Sequence, residues 1–307
     1  MPGASSVSRG SRVRRVRAGE CEALIGFIAT LNQPGMQHCL HFASTEAGIR
    51  ADVDKGGIDL TLSFWLADAA SGWRGAVGVM RDADQGWLYG PWALDEGDGP
   101  VRTALLGVAM APPDLSSLQA FTDVRSTALV AELRAAGFES QHEVQVMRAT
   151  RERWQAATPL PTRMPARPDI GRALPMESRA IAALHDAVLP HAGLSGRDML
   201  QYASRAGLVL AARDAQGRVL GSLCLALDPA LREAELEFLA VWPQARGQGV
   251  GKALLLAALD EALGARRYEA VNLCVDGANA NALGLYTASG FERRVTGIKQ
   301  CWSRRGR

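Results

Sequence analysis

Residues 246 to 252, Arg-Gly-Gln-Gly-Val-Gly-Lys, have the composition of an anion cradle. Gly247, Gly249 and Gly251 lack a Cβ, so the backbone can approach a ligand closely. The preceding AELEFLAV reads as a strand to Val241, Pro243 closes a turn, and the run after Gly251 reads as an apolar helix. The first amides of such a helix have no carbonyl partner and sit at the positive end of its dipole. Arg246 and Lys252 add full positive charge. A phosphate or pyrophosphate is the guest this chemistry suits. A P-loop needs Gly-Lys-Ser/Thr, but Lys252 is followed by Ala253; a dinucleotide fingerprint needs Gly-x-Gly-x-x-Gly, which the spacing also lacks.

A second constellation lies roughly thirty residues on. Val271 to Val275 reads as a buried strand, Asn279 opens a helix, Tyr286 follows seven residues later, and Gly290-Phe291 ends the helix. That spacing puts Asn279 and Tyr286 two turns apart on one helix face.

Arg246-x-x-Gly249-x-Gly251 after a strand, followed by this Asn and Tyr, resembles the acetyl-CoA loop and the following strand–helix block of GCN5-related N-acetyltransferases (GNAT). The resemblance is specific over residues 235 to 292 and implies acetyl-CoA as co-substrate, with no metal. It implies that the backbone of Leu239 to Val241 holds the pantetheine arm, provided a bulge splays this strand from the next. It also implies that Arg246, Gly247, Gly249, Val250, Gly251 and Lys252 hold the pyrophosphate, and that Asn279 and Tyr286 flank the thiol. Glu235, six residues before Val241, matches the catalytic base of histone-type and mycothiol-synthase-type relatives, and Tyr286 matches their proton donor. Alternation puts Glu237 on the face of Glu235, together with Leu239 and Val241. Relatives that acetylate ribosomal-protein N-termini carry a Glu where this chain has Cys274, read here as a buried strand thiol, which disfavours a peptide N-terminus as acceptor. The acceptor is therefore expected to be a small-molecule or protein amine. Mycothiol synthase, a two-copy member that acetylates a thiol-sugar amine, offers one alternative class, and a non-catalytic acyl-CoA sensor offers another.

The elements that must position these residues fit a chain of 307 residues with 48% hydrophobic and 21% charged content. That length accommodates two domains of about 150 residues. Sliding the sequence by 153 residues lays Gly137-Phe138 on Gly290-Phe291 and Ser126 on Asn279, so an internal repeat is expected. The fold expected is α/β (α+β): two tandem domains, each a mixed, mostly antiparallel twisted sheet flanked by helices. The boundaries read are 1–156, a proline-rich linker over 157–168, and 169–307. The ungapped first copy sets Glu96 and Asp98 against a pyrophosphate and Leu133 at the place of Tyr286, so this half is expected to be degenerate.

Elsewhere, residues 23 to 31 read as a helix, Leu60 to Leu66 and Gly75 to Met80 as strands, and 176 to 189 as an amphipathic helix. His191 and Arg197 follow it and are candidates for acceptor contact, because the resembled fold borders its acceptor site there. His38, Cys39 and His41 sit beside Pro34 and Gly35 with no second cluster, and are read as loop or cleft residues rather than metal ligands. A net charge of +2 gives no general case for nucleic acid. No apolar run reaches the ~18 residues of a membrane span. Five scattered cysteines without a Cys-x-x-Cys pair suit a reducing cytoplasm. These features leave the oligomeric state open.

Overall fold

The computed structural model describes residues 12–95, 97–157, 168–189 and 195–304. Glu96 and His191 lie outside the described residues, as does most of the proline-rich stretch. The chain forms two compact units, Met1–Val144 with Thr296–Arg307, and Gln145–Val295. These bounds differ from the boundaries read at the prolines, because two long strands each begin in one unit and end in the other.

The first unit runs β1 (Arg12–Arg15), α1 (Cys21–Leu31), α2 (Glu46–Gly56), α3 (Leu60–Ser63), β2 (Phe64–Ala69), β3 (Gly72–Asp82), β4 (Gln85–Ala93), α4 (Gly99–Met110), β5 (Ser117–Asp123), α5 (Thr127–Ala135) and the start of β6 (Glu139–Thr150). The second unit continues with α6 (Arg151–Ala156), β7 (Asp169–Arg172), α7 (Ser178–Val188), α8 (Gly196–Ala206), β8 (Gly207–Arg213), β9 (Val219–Asp228), β10 (Glu233–Val241), α9 (Val250–Leu259), β11 (Ala270–Asp276), α10 (Ala280–Ala288) and the start of β12 (Glu292–Ser303). Residues 60–63, expected as strand, instead form one helical turn. The Asp59 carboxylate accepts from the amides of Thr61 and Leu62 and caps it, which delays the strand to Phe64.

In the first unit the strand order is β1-β2-β3-β4-β5-β12. Only β4 and β5 run parallel, and the tail strand pairs Gly297–Ser303 with β5. Strand alternation separates two cores. Phe64, Leu66 and Trp92 pack with Leu24, Ile28 and Ile49 of α1 and α2; Ala67, Val77 and Leu88 pack with Leu105 and Leu133 of α4 and α5. Gly75 is forced by closeness, since a Cβ there would lie 2.5 Å from the Trp92 carbonyl oxygen.

In the second unit β11-β10-β9-β8-β7 follow β6, with β10 and β11 parallel. Leu223, Leu225, Ala234 and Leu236 pack with Leu254 and Leu255 of α9, while Ala211 and Cys224 pack with Ile181 of α7 and Met199 of α8. The start of α7 is tied to β8 by a buried ion pair, Arg213 Nε to Glu177 Oε1 at 2.5 Å.

One half-buried side chain, its Nε2 sealed from solvent, makes stability depend on pH. His41 in the first unit lies against the rings of Tyr89 and Phe121, and its Nε2 has no hydrogen-bond partner among the described residues. Burial, reinforced by the charge of Lys299, lowers its pKa from 6.5 to about 4. Between those values the unfolded chain takes up a proton that the folded chain refuses, so stability falls as pH drops from 6.5 to about 4. The loss approaches roughly 3 kcal/mol at most. Urea unfolding at pH 7 and pH 5 should show this slope, and His41→Gln should flatten it.

Candidate active site

The site is built on β10. Against β9 its register shifts by one residue between Leu236 and Phe238, so Glu237 is the extra residue of a β-bulge. Beside β11 its pairing ends at Leu236–Leu273, although β11 continues to Asp276. Beyond the bulge the two parallel strands diverge. The resulting gap has the backbone of Leu239 to Val241 on one side and Cys274 to Asp276 on the other.

The bulge also inverts the faces of the strand. Ala234 and Leu236 share the α9 core with Leu239 and Val241, whereas Phe238 packs with the α7–α8 core. Alternation therefore sets Glu235 and the bulged Glu237 on the α7–α8 side, opposite Leu239 and Val241. The expectation that all four share a face is corrected. Cys274, expected to be buried, is exposed, because it lies where β11 has outrun its pairing with β10.

The glycine loop joins β10 to α9. Gly247 and Gly249 have φ of +72° and +81°, a region that L side chains adopt at a cost, and Gly249 is the residue that caps α9. No acidic residue stands in the first turn of α9, so the amides of Val250, Gly251 and Lys252 head a cradle without a competing carboxylate there. A Cβ on Gly251 would stand 3.6 Å from Val241 Cγ2, so the helix start abuts the end of β10. Arg246 is exposed and hydrogen-bonds the Val241 carbonyl through Nε at 3.3 Å.

Asn279 caps α10, its Oδ1 accepting from the Ala282 amide at 3.1 Å. Tyr286 is buried in the α9 core with its ring centroid 5.6 Å from that of Phe291, and burial raises its phenol to about 12. The phenol therefore keeps its proton at neutral pH. Glu233, at the entry of β10, is held by Arg148 and Asn272. Burial acts to raise its pKa, but those hydrogen bonds outweigh it and the carboxyl lies below its usual value.

The structure gathers Glu235, Glu237, Leu239, Val241 and the 246–252 loop along one strand–loop–helix run. Arg197 is exposed in a groove of about 430 Å³ that it lines with Ser178, Arg179, Ala182, Leu200 and Gln201. Sequence reading passed over His185, a buried imidazole whose ring meets Phe238 edge-on at 4.7 Å. Its place in the i, i+3, i+4 stripe with Ile181 and Leu184 was the available signal.

The first unit repeats this geometry and fills it. β4 carries a bulge after Tyr89, and β5 pairs with it only to Leu88–Ala120. Into the gap runs the segment after α1. Cys39 bridges Thr122, the Leu40 amide donates to Phe121 O at 2.8 Å, and the Asp123 amide donates to His38 O at 2.9 Å. On the β4 side the Gln37 side chain takes both the amide and the carbonyl of Ala93, each at 2.7 Å, and Arg102 fixes Gln37 Oε1 at 2.9 Å. The ungapped alignment is also corrected. Strand ends Ala93 and Val241 correspond, the loop is shorter, and Asp98 becomes the cap of α4, accepting from the Val101 amide and paired with Arg74 at 2.7 Å.

Among known proteins, residues 181–291 match the Acetyltransferase (GNAT) family. A GCN5-related N-acetyltransferase from Sphaerobacter thermophilus superposes with a TM-score of 0.75 over 98% of both chains at 17% identity. A tandem GNAT protein from the clavulanic acid biosynthesis pathway superposes at 0.66, covering 95% of this chain and 98% of its own, at 16% identity. The family match lies within the second unit, and the likeness of the whole chain to these two structures is one of fold. The chain is also similar to the mycothiol acetyltransferase of Clavibacter michiganensis subsp. michiganensis, at 43% identity over 92 residues. That match spans 30% of this chain and 29% of the relative.

Proposed function

We propose that the second unit transfers the acetyl group of acetyl-CoA to the primary amine of a small molecule, of the kind a mycothiol acetyltransferase acetylates. The observation that carries this reading is the open gap beside the β10 bulge, continuous with a glycine cradle whose first helical turn holds no carboxylate. The pyrophosphate sits on the amides opening α9, and the pantetheine amides bond the free edge of β10 as an added strand would. The thioester then lies in the gap.

The two faces of β10 divide the proton chemistry. Glu235, on the α7–α8 side, takes the proton of the attacking amine, directly or through water. The amine nitrogen forms its bond to the thioester carbon, the backbone amides beyond the bulge stabilise the oxyanion, and the C–S bond breaks. Tyr286, on the α9 side, returns a proton to the departing thiolate. Its burial suits it to that task, since the phenol holds its proton until a stronger base appears.

The test is incubation of the full chain with acetyl-CoA and a panel of amines that includes thiol-bearing amino sugars. The expected result is free CoA and acetylated amine in equal amounts. Tight CoA binding with no acetylated product would instead favour a sensor. Calorimetric titration of acetyl-CoA into the full chain should give one site, because Gln37 and the 38–40 segment fill the first unit's gap. A second site of similar affinity would overturn that part of the reading.

A further inference from the structure

The segment that fills the first unit's gap brings three reactive groups into line. The His38 ring has a partner at each nitrogen: Nδ1 lies 3.2 Å from Asp123 Oδ2, and Nε2 lies 3.1 Å from Ser44 Oγ. Asp123 ends β5, is fully buried, and also accepts from Arg125, whose Nη2 lies 2.7 Å from Oδ2. A carboxylate only accepts, so Nδ1 carries the imidazole proton and Nε2 presents its lone pair to the Ser44 hydroxyl. Burial lowers the basicity of His38, which keeps the ring in this neutral form. Both distances fall within the reach expected of a nucleophile, its base and the acid that orients the base.

The position of Ser44 adds an electrophilic element. It is half-buried and immediately precedes Thr45, which caps the eleven-residue helix α2 through its side chain. The Gly48 amide is taken by that cap, whereas the amides of Glu46 and Ala47 belong to the turn that has no carbonyl behind it. An oxyanion formed at Ser44 would arise beside the positive end of this helix.

We propose that Ser44, His38 and Asp123 form a second, hydrolytic site that takes small activated esters or thioesters. The Ser44 oxygen bonds to the acyl carbon as its proton passes to His38 Nε2. The alcohol or thiol leaves with that proton, giving an acyl-serine ester. Water, deprotonated by the same nitrogen, adds to the ester, and the carboxylic acid departs as Ser44 recovers its proton. No oxidant, reductant or metal enters the balance.

Treatment of the full chain with a fluorophosphonate, followed by peptide mass spectrometry, should find one phosphonyl group, on Ser44. Hydrolysis of p-nitrophenyl acetate should fall by about 100-fold or more in Ser44→Ala and in His38→Gln. Ser44→Cys should move the reactivity to thiol-directed reagents. Circular dichroism identifies any variant that fails to fold, and Ser44→Ala, which removes one oxygen, reads the site if His38→Gln does not fold. An unlabelled Ser44 in the wild-type chain, or ester hydrolysis unchanged in folded Ser44→Ala, would overturn the proposal and leave the three residues as a clamp on the inserted segment.

Discussion

Glu235→Gln should lower kcat for amine acetylation by about 10²–10⁴-fold and leave the affinity for acetyl-CoA within about twofold. The substitution keeps the shape of the side chain and removes its capacity to take a proton. The bulge places Glu235 on the face of β10 opposite Leu239, Val241 and α9, so the change lies away from the groups expected to hold the donor. Single-turnover kinetics and calorimetry on the same preparation separate the two effects. Unchanged turnover would remove Glu235 from the chemistry and direct attention to Glu237, the bulged residue beside it. A parallel loss of affinity would mean that Glu235 supports the architecture of the gap. A pH profile adds a second reading. If Glu235 is the base, the acidic limb of kcat/KM should disappear in the variant while any alkaline limb remains.

Gly249→Val should weaken acetyl-CoA binding by about 100-fold, close to 2.7 kcal/mol. Gly249 holds φ at +81° as the residue capping α9, and a β-branched side chain in that region costs roughly 1–2 kcal/mol before any ligand is considered. The strain is relieved by turning the peptide, which reorients the amides of Val250 and Gly251 away from the cradle. Part of the strain will also appear as lower stability, so the thermal midpoint and the dissociation constant are measured together. Retained affinity in a folded variant would sink the assignment of this loop to the pyrophosphate.

Much of this site could be read in the sequence because its chemistry is local. The glycines of 247–251, the cap at Asn279 and the turn at Gly290 each declare a backbone geometry that few other residues allow. Periodicity located β10, α9 and α7 to within a few residues. Asp59 is legible too, as an N-cap, but the apolar and aromatic residues at 60, 62 and 64 to 66 outweigh that signal. The inversion of faces at Glu237 was not legible in its consequences. Once a bulge adds a residue, every side chain beyond it changes sides, and no residue type marks where the addition falls. Cys274 followed for a related reason, since a strand residue is buried only as far as its neighbour extends. Gln37 lay further out of reach. Its role depends on the Ala93 backbone and on Arg102, both more than fifty residues distant, and an isolated glutamine after a Pro-Gly turn gives no hint of either.

The strands β6 and β12 set a limit on how this chain can be divided. A gene split inside the proline-rich stretch would yield fragments of plausible domain length, yet the first would lack Gly297–Ser303, the antiparallel partner of β5. The second would lack Gln145–Thr150, which belongs to its own compact unit. Each product would expose a raw sheet edge, the kind of surface that seeds aggregation. Modularity at the level of the repeat is thus not modularity at the level of the gene. A fragment meant to isolate the glycine cradle would follow residues 145 to 295, and one meant to isolate the first unit would graft the tail strand onto its end.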